Sequence, residues 1–132
     1  MAEPTQTARV LSVTDLTPNV RQLILLPKTQ NITFKPGQWV SLKLPTGPAP
    51  PLNRAYSMAS PTSPSGELTL VFDQVPQGLG THYLGQIRAR DELLLSGPYG
   101  NFVLPQPLDR ELLFVARYTA LVPMRCMLKA LY

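Results

Sequence analysis

Two short stretches carry side chains suited to holding an anion. Arg54-Ala55-Tyr56-Ser57 places a guanidinium, a phenol and a hydroxyl within one tetrapeptide. A guanidinium is a planar donor fork matched to phosphate oxygens. The second stretch is Gly78-Leu79-Gly80-Thr81. Glycines let a backbone approach an anion closely, and a helix starting there points free N–H groups at it. Thr81 adds a hydroxyl suited to capping that helix. Each stretch also has a plainer reading. Alone, the tetrapeptide is an exposed strand arginine beside a barrel tyrosine, and the glycine stretch is a loop and helix cap without a ligand.

Other chemistry is argued against. His82 is the only histidine and has no nearby cysteine or acidic partner, so no metal site is expected and the residue reads as solvent-facing on a helix. It also lacks the oriented partner of a Ser-His-Asp arrangement. Cys126 is the only cysteine, which excludes an intrachain disulfide, and its apolar helical position suggests a buried thiol. The chain has 12 Lys+Arg against 8 Asp+Glu, a net +4 with no basic run, so no nucleic-acid partner is expected. That mild excess still suits an acidic partner or a phosphate-bearing cofactor. No apolar run approaches the roughly 18–20 residues of a membrane span. Met1 to Val10 lacks a secretory pattern, and a cytoplasmic location is expected.

The elements that must position these residues are short. Of 132 residues, 44% are hydrophobic and 15% charged, an ordinary globular composition. Prolines from Pro18 to Pro105 recur near the 8–12-residue turn rhythm of β proteins and block long helices. Strands are read at Ala8–Thr14, Val20–Leu26, Gln38–Leu44, Arg54–Ala59, Glu67–Asp73 and Glu92–Ser96, the last ended by Gly97-Pro98. Gln38–Leu44 alternates cleanly, with Val40, Leu42 and Leu44 on one face. A short helix follows Gly78. The fold class is all-β: a six-stranded antiparallel Greek-key barrel with one short helix. Leu112–Ala116 is a continuous apolar run, read as a strand buried on both faces. Met124–Tyr132 looks helical, with Pro123 at its start. Together they form an incomplete C-terminal βα unit.

Four stretches, in order, resemble the ferredoxin–NADP reductase family of flavoproteins. They are Phe34-Lys35-Pro36-Gly37-Gln38-Trp39-Val40, Arg54-Ala55-Tyr56-Ser57, Gly78-Leu79-Gly80-Thr81-His82-Tyr83-Leu84 and Gly97-Pro98-Tyr99-Gly100-Asn101-Phe102. The resemblance implies a flavin-binding barrel over residues 1–108. Residues 109–132 would be the truncated first βα unit of a nicotinamide-dinucleotide-binding domain. It implies that Arg54 meets a flavin phosphate, Tyr56 packs on the isoalloxazine ring and Ser57 faces flavin N5, with Ala55 between them. Gly78, Leu79, Gly80 and Thr81 would hold the pyrophosphate. Phe72, Asp73 and Val75 would line the flavin edge, and Gly97–Phe102 would be a supporting turn.

The chain departs from the family in two places. Asp73 and Gln74 stand where the family often has Lys or Arg, which removes a basic contact to the adenosine half; FAD is still expected over FMN. The family's glycine-rich turn after its buried strand is Ala116-Arg117-Tyr118-Thr119-Ala120-Leu121-Val122-Pro123 here. Thr119 and Pro123 remain as a vestigial dinucleotide site, while Arg117, Tyr118 and Ala120 replace glycines. A side chain in a left-handed position costs about 1–2 kcal/mol. NAD(P) is therefore not expected to bind this chain alone. Two readings follow: the FAD-binding part of an NAD(P)H-dependent electron-transfer oxidoreductase serving an iron–sulfur or haem protein, or a non-catalytic, even flavin-free, interaction module. The Leu112–Ala116 run is expected to be covered by the terminal helix or, in a homodimer, by a second copy.

Overall fold

The computed structural model describes residues 4–132. Six strands form one antiparallel sheet: β1 (Gln6–Thr17), β2 (Val20–Pro27), β3 (Trp39–Leu44), β4 (Leu52–Ser57), β5 (Leu68–Asp73) and β6 (Glu92–Tyr99), in the order β4-β3-β6-β1-β2-β5. A short helix, α1 (Leu79–Gly85), connects β5 to β6, and a 3-10 turn at Tyr118–Ala120 leads into α2 (Leu121–Leu131). The sheet curls but does not close. Its edge strands β4 and β5 meet through the isolated Met58–Leu70 bridge, which leaves a seam between them.

Period-two alternation makes the core. Val40, Leu42 and Leu44 of β3 point inward with Leu68, Leu70 and Phe72 of β5 and Leu23 and Leu25 of β2, all buried. Burying each such side chain is worth about 1.5–3 kcal/mol, and one register slip would turn the set outward. Leu84 of α1 joins this cluster, so the helix plugs the barrel. Arg21 of β2 fastens it there. Its Nη1 donates to the carbonyls of Gly85 at 2.6 Å and Leu84 at 3.3 Å.

Three expectations need correction. β6 does not stop at Gly97-Pro98 but runs on to Tyr99, which pairs with Trp39. Gly97 and Pro98 together stand opposite Val40, and the one extra residue is absorbed as a register shift, so the ladder continues past residues that ordinarily end one. Thr81 is not the cap of α1. Gly78 occupies that position because its N–H closes a turn on the Val75 carbonyl at 2.9 Å, which places Thr81 in the first turn.

The third correction concerns Leu112–Ala116, which is extended but belongs to no strand. It is not buried on both faces. Leu112 and Phe114 are half-buried and share a groove with Leu128 and Leu131 of α2, while Leu113 is 90% exposed and Val115 76% exposed. The terminal helix thus covers one side of the run, and the other side is open.

α2 itself packs on the barrel. Val122, Cys126 and Met127 are buried, and Arg125 Nη1 donates to the Ala59 carbonyl and to Ser60 Oγ. Gly37 makes this approach feasible. A Cβ there would stand 1.8 Å from the Phe102 carbonyl oxygen and 2.7 Å from Met127 Cε, at a φ of +106°. Among the described residues no helix is long and apolar enough to cross a membrane.

Candidate functional site

The seam between β4 and β5 opens into a cleft of about 590 Å³. Ala55, Tyr56 and Ser57 form one wall, Val71, Phe72 and Asp73 another, and Val75 with Thr81 the end nearest α1. The C-terminal unit supplies the remaining side through Thr119, Ala120, Val122, Pro123 and Met124, with Phe102 at the rim. The volume lies within the usual range of small-molecule sites.

Edge position explains how both faces of β4 reach one cleft. Arg54 and Tyr56 stand opposite Leu42 and Val40, on the inward face, whereas Ala55 and Ser57 point outward. An inner strand would hide one of these faces. β4 has a neighbour on one side only, so residues of both orientations border the seam. The Tyr56 ring is half-buried and tilted against Phe72, with centroids 5.5 Å apart. Burial raises the Tyr56 phenol above its ordinary value, partly opposed by the Arg54 charge, so the hydroxyl is a neutral donor at physiological pH.

Arg54 lies at the start of α1. A Cβ on Gly80 would sit 3.1 Å from Arg54 Cγ and 3.7 Å from Nε, so the arginine stem runs where a side chain at position 80 would be. Its Nη1 donates to the Asn53 carbonyl at 2.9 Å, and no carboxylate among the described residues pairs with it. An exposed guanidinium and the first-turn amides of a helix therefore converge on one place, as phosphate binding requires. The Thr81 hydroxyl is engaged locally: Oγ1 accepts from the Val75 N–H and faces the Val75 carbonyl, both at 3.1 Å. Thr81 holds the corner's shape rather than offering a free hydroxyl.

The two sequence stretches are thus brought together, and the cleft beside them has the aromatic wall a flat ring system requires. Phe72, Asp73 and Val75 border this cleft. Thr119 and Pro123 border it as well, which sequence reasoning had placed in a separate dinucleotide site. The Thr119 hydroxyl donates to Asp73 Oδ2 at 2.7 Å. Val71, Ala120, Val122 and Met124 were missed; nothing local in the sequence distinguishes them from ordinary packing residues. His82 is exposed and Cys126 buried, both as expected, and desolvation raises the Cys126 thiol above its ordinary value. Among the described residues no group of His, Cys, Asp or Glu is placed to hold a metal.

The replaced glycine turn has kept a glycine conformation. Tyr118 has a φ of +55°, the left-handed region bulky side chains rarely adopt. Its ring is 75% exposed, with the Arg117 guanidinium 4.7 Å from its centroid and Arg117 Nη2 donating to its hydroxyl at 3.0 Å.

Residues 7–104 match the family model described as the oxidoreductase FAD-binding domain. The chain is 37% identical over 130 residues to ferredoxin–NADP reductase B of Sorangium cellulosum (strain So ce56), covering 98% of this chain and 52% of that protein. It is 33% identical over 123 residues to the reductase component 1 of terephthalate 1,2-dioxygenase of Comamonas sp., covering 92% of this chain and 35% of that one. Among solved structures, a ferredoxin–NADP+ reductase from Plasmodium falciparum aligns over 96% of this chain and 51% of that chain with a TM-score of 0.84; its 19% identity makes this a likeness of fold. The chain spans about half, or less, of the length of these relatives.

Proposed function

This chain belongs to the oxidoreductase FAD-binding domain family, and we propose on that premise which of its residues hold FAD and what the complex serves. Arg54 and the Gly78–Thr81 corner bind the pyrophosphate. Tyr56 packs on the isoalloxazine ring, Ser57 faces flavin N5, and Ala55, Phe72, Asp73 and Val75 border the ring's edge. The observation that carries this reading is the Arg54 guanidinium, unpaired by any described carboxylate and laid against Gly80 beside an aromatic-walled cleft.

These residues also fit the group chemically. Gly80 leaves room for the arginine stem that a Cβ would crowd. The neutral Tyr56 phenol brings no anion toward the phosphates or the ring. The curled sheet shields one side of the cleft from water, while the rim at Phe102 remains open. When bound, FAD supplies the redox chemistry, accepting a hydride's electron pair and releasing electrons singly. The chain's own part is to bind, orient and partly desolvate the cofactor.

In this reading residues 1–108 are the flavin-binding barrel and residues 109–132 begin a nicotinamide-binding unit. The whole protein's activity would be NAD(P)H-dependent electron transfer to an iron–sulfur or haem protein, in keeping with relatives named as a ferredoxin reductase and a dioxygenase reductase component. A second reading, a flavin-binding module without nicotinamide chemistry of its own, is favoured by the Tyr118 side chain at a glycine-type position.

Titrating the purified chain with FAD, and separately with FMN, while following flavin fluorescence tests the assignment. Saturable one-to-one binding that is tighter for FAD and weakened in Arg54→Ala supports it; wild-type affinity in that variant overturns it. Stopped-flow mixing of the FAD-loaded chain with NADH or NADPH separates the two readings. Flavin bleaching favours the reductase, and its absence favours the module.

A further inference from the structure

The Asp73–Thr119 hydrogen bond joins residues 46 positions apart, across the boundary between the barrel and the C-terminal unit. Both side chains border the flavin cleft. Both also border a second, more apolar groove of about 450 Å³ on the other side, lined by Leu16, Val20, Tyr118 and Leu121. The bonded pair, together with Val71 and Val122, therefore forms the partition between two cavities. We propose that Asp73 and Thr119 form a latch that sets the width of the flavin cleft, making Thr119 a positioning residue for the cofactor. The proposal rests on the FAD-site reading above.

Three observations support a latch over an incidental contact. Asp73 is the last residue of β5, so its ladder fixes the acceptor, whereas Thr119 lies in a 3-10 turn, which fixes little by itself. The run before that turn pairs with no strand, so the turn depends on side-chain anchors. The other anchors, Arg125 on Ala59 and Ser60 and the buried Val122, Cys126 and Met127, hold α2, while the turn itself buries no residue. With the hydroxyl bound to Asp73, Thr119 and Ala120 are held facing Tyr56 across the cleft. Without it, the turn can move away and the cleft opens into the neighbouring groove. The carboxylate acts here through the turn and not by touching a phosphate, which is consistent with an acidic residue in this place.

The full chain, without FAD, is compared with Thr119→Val, Thr119→Ser and Asp73→Ala by amide hydrogen exchange over residues 117–123 and by FAD titration. Thr119→Val keeps the side-chain shape and removes the donor; exchange in the turn should rise by about tenfold, as expected for one charge-assisted hydrogen bond lost. FAD affinity should fall several-fold. Asp73→Ala should match it, and Thr119→Ser, which keeps the hydroxyl, should restore both readouts to near wild type. Unchanged exchange in Thr119→Val overturns the latch whatever happens to FAD. Increased exchange with unchanged FAD affinity overturns its role in setting the cleft. Failure of the wild-type chain to bind FAD, with exchange still raised in Thr119→Val, keeps the latch and overturns the FAD-site reading.

Discussion

Arg54 Cγ lies 3.1 Å from the point where a Cβ on Gly80 would stand. The glycine therefore has two consequences that oppose each other. It costs helix stability, because Gly in a helix is about 1 kcal/mol worse than Ala. It also leaves the arginine a straight path to the corner. Gly80→Ala is expected to keep or slightly raise stability in urea while weakening FAD binding several-fold, since the stem must bend aside. Loss of stability with unchanged affinity would mean that Gly80 serves packing against Leu44 Cδ1, 3.5 Å away, and not the arginine.

Arg54→Ala removes the charge itself. A hydrogen bond to a charged group is worth about 1.5–3 kcal/mol, which corresponds to roughly tenfold to a hundredfold in affinity. Arg54→Lys keeps the charge but not the fork and should fall between. Folding stability should change little in either variant, because Arg54 is exposed and its one hydrogen bond is to the adjacent Asn53 carbonyl. Affinity follows from fluorescence titration and stability from urea unfolding of the FAD-free chain.

Arg21 works on the same corner from behind. Its side chain is 14% exposed, and it bonds the C-terminal carbonyls of α1 as well as Asp15. Arg21→Ala should destabilise the chain by about 1.5–3 kcal/mol and loosen α1, weakening FAD binding without touching the cofactor. The hydrogen bond from Arg21 holds the Asp15 carboxyl below its ordinary 3.8, and Lys28 likewise holds Glu92 below 4.5. Depressed carboxylates contribute stability above their unfolded values and lose it as pH falls through the folded ones. Stability should therefore decline below about pH 4 for these groups. Asp15→Asn and Glu92→Gln should each flatten that decline in acid titrations followed by circular dichroism.

The sequence made the strands legible and left their connections hidden. Val40, Leu42 and Leu44 announce a half-buried strand because their period is two, and all three are buried. Arg54 and the Gly78–Thr81 stretch could be singled out because a guanidinium suits phosphate oxygens and glycines permit close backbone approach, and the fold lays the one against the other. β6 was cut short because Gly97-Pro98 is ordinarily a stop signal; only pairing with Trp39 carries the strand past it. Leu112–Ala116 was misread because unbroken apolarity looks alike in a strand buried on both faces and in a segment with a helix against one side. The Asp73–Thr119 contact is invisible in the sequence, because no local pattern joins residues so far apart.

Tyr118 offers a direct measure of what the replaced glycine costs. At φ +55° any non-glycine side chain bears about 1–2 kcal/mol of strain. Tyr118→Gly relieves it but adds unfolded-chain entropy and loses the exposed contact with Arg117. Tyr118→Ala loses the contact and keeps the strain. The glycine variant should therefore be more stable than the alanine variant by about 1 kcal/mol in urea. Equal stabilities would mean that the turn relaxes out of the left-handed region. The glycine variant, with its backbone cleared, is also the one in which to look for NADH or NADPH binding.

The exposed apolar run makes the sharpest distinction between neighbouring residues. Leu112 and Phe114 are half-buried and share a groove with α2, whereas Leu113 and Val115 face outward. Phe114→Ala should destabilise the chain by about 1–3 kcal/mol, less than a fully buried Phe would, because the side chain is only half covered. Leu113→Ser should stay within about 0.5 kcal/mol of wild type, since it removes a side chain that is 90% exposed. Both comparisons are made at several protein concentrations. A second copy covering this side would make the Leu113→Ser effect larger and concentration-dependent, and sedimentation velocity would show the wild-type chain associating while the variant does not. A small, concentration-independent effect with identical sedimentation of both proteins would remove the homodimer as a cover of this run.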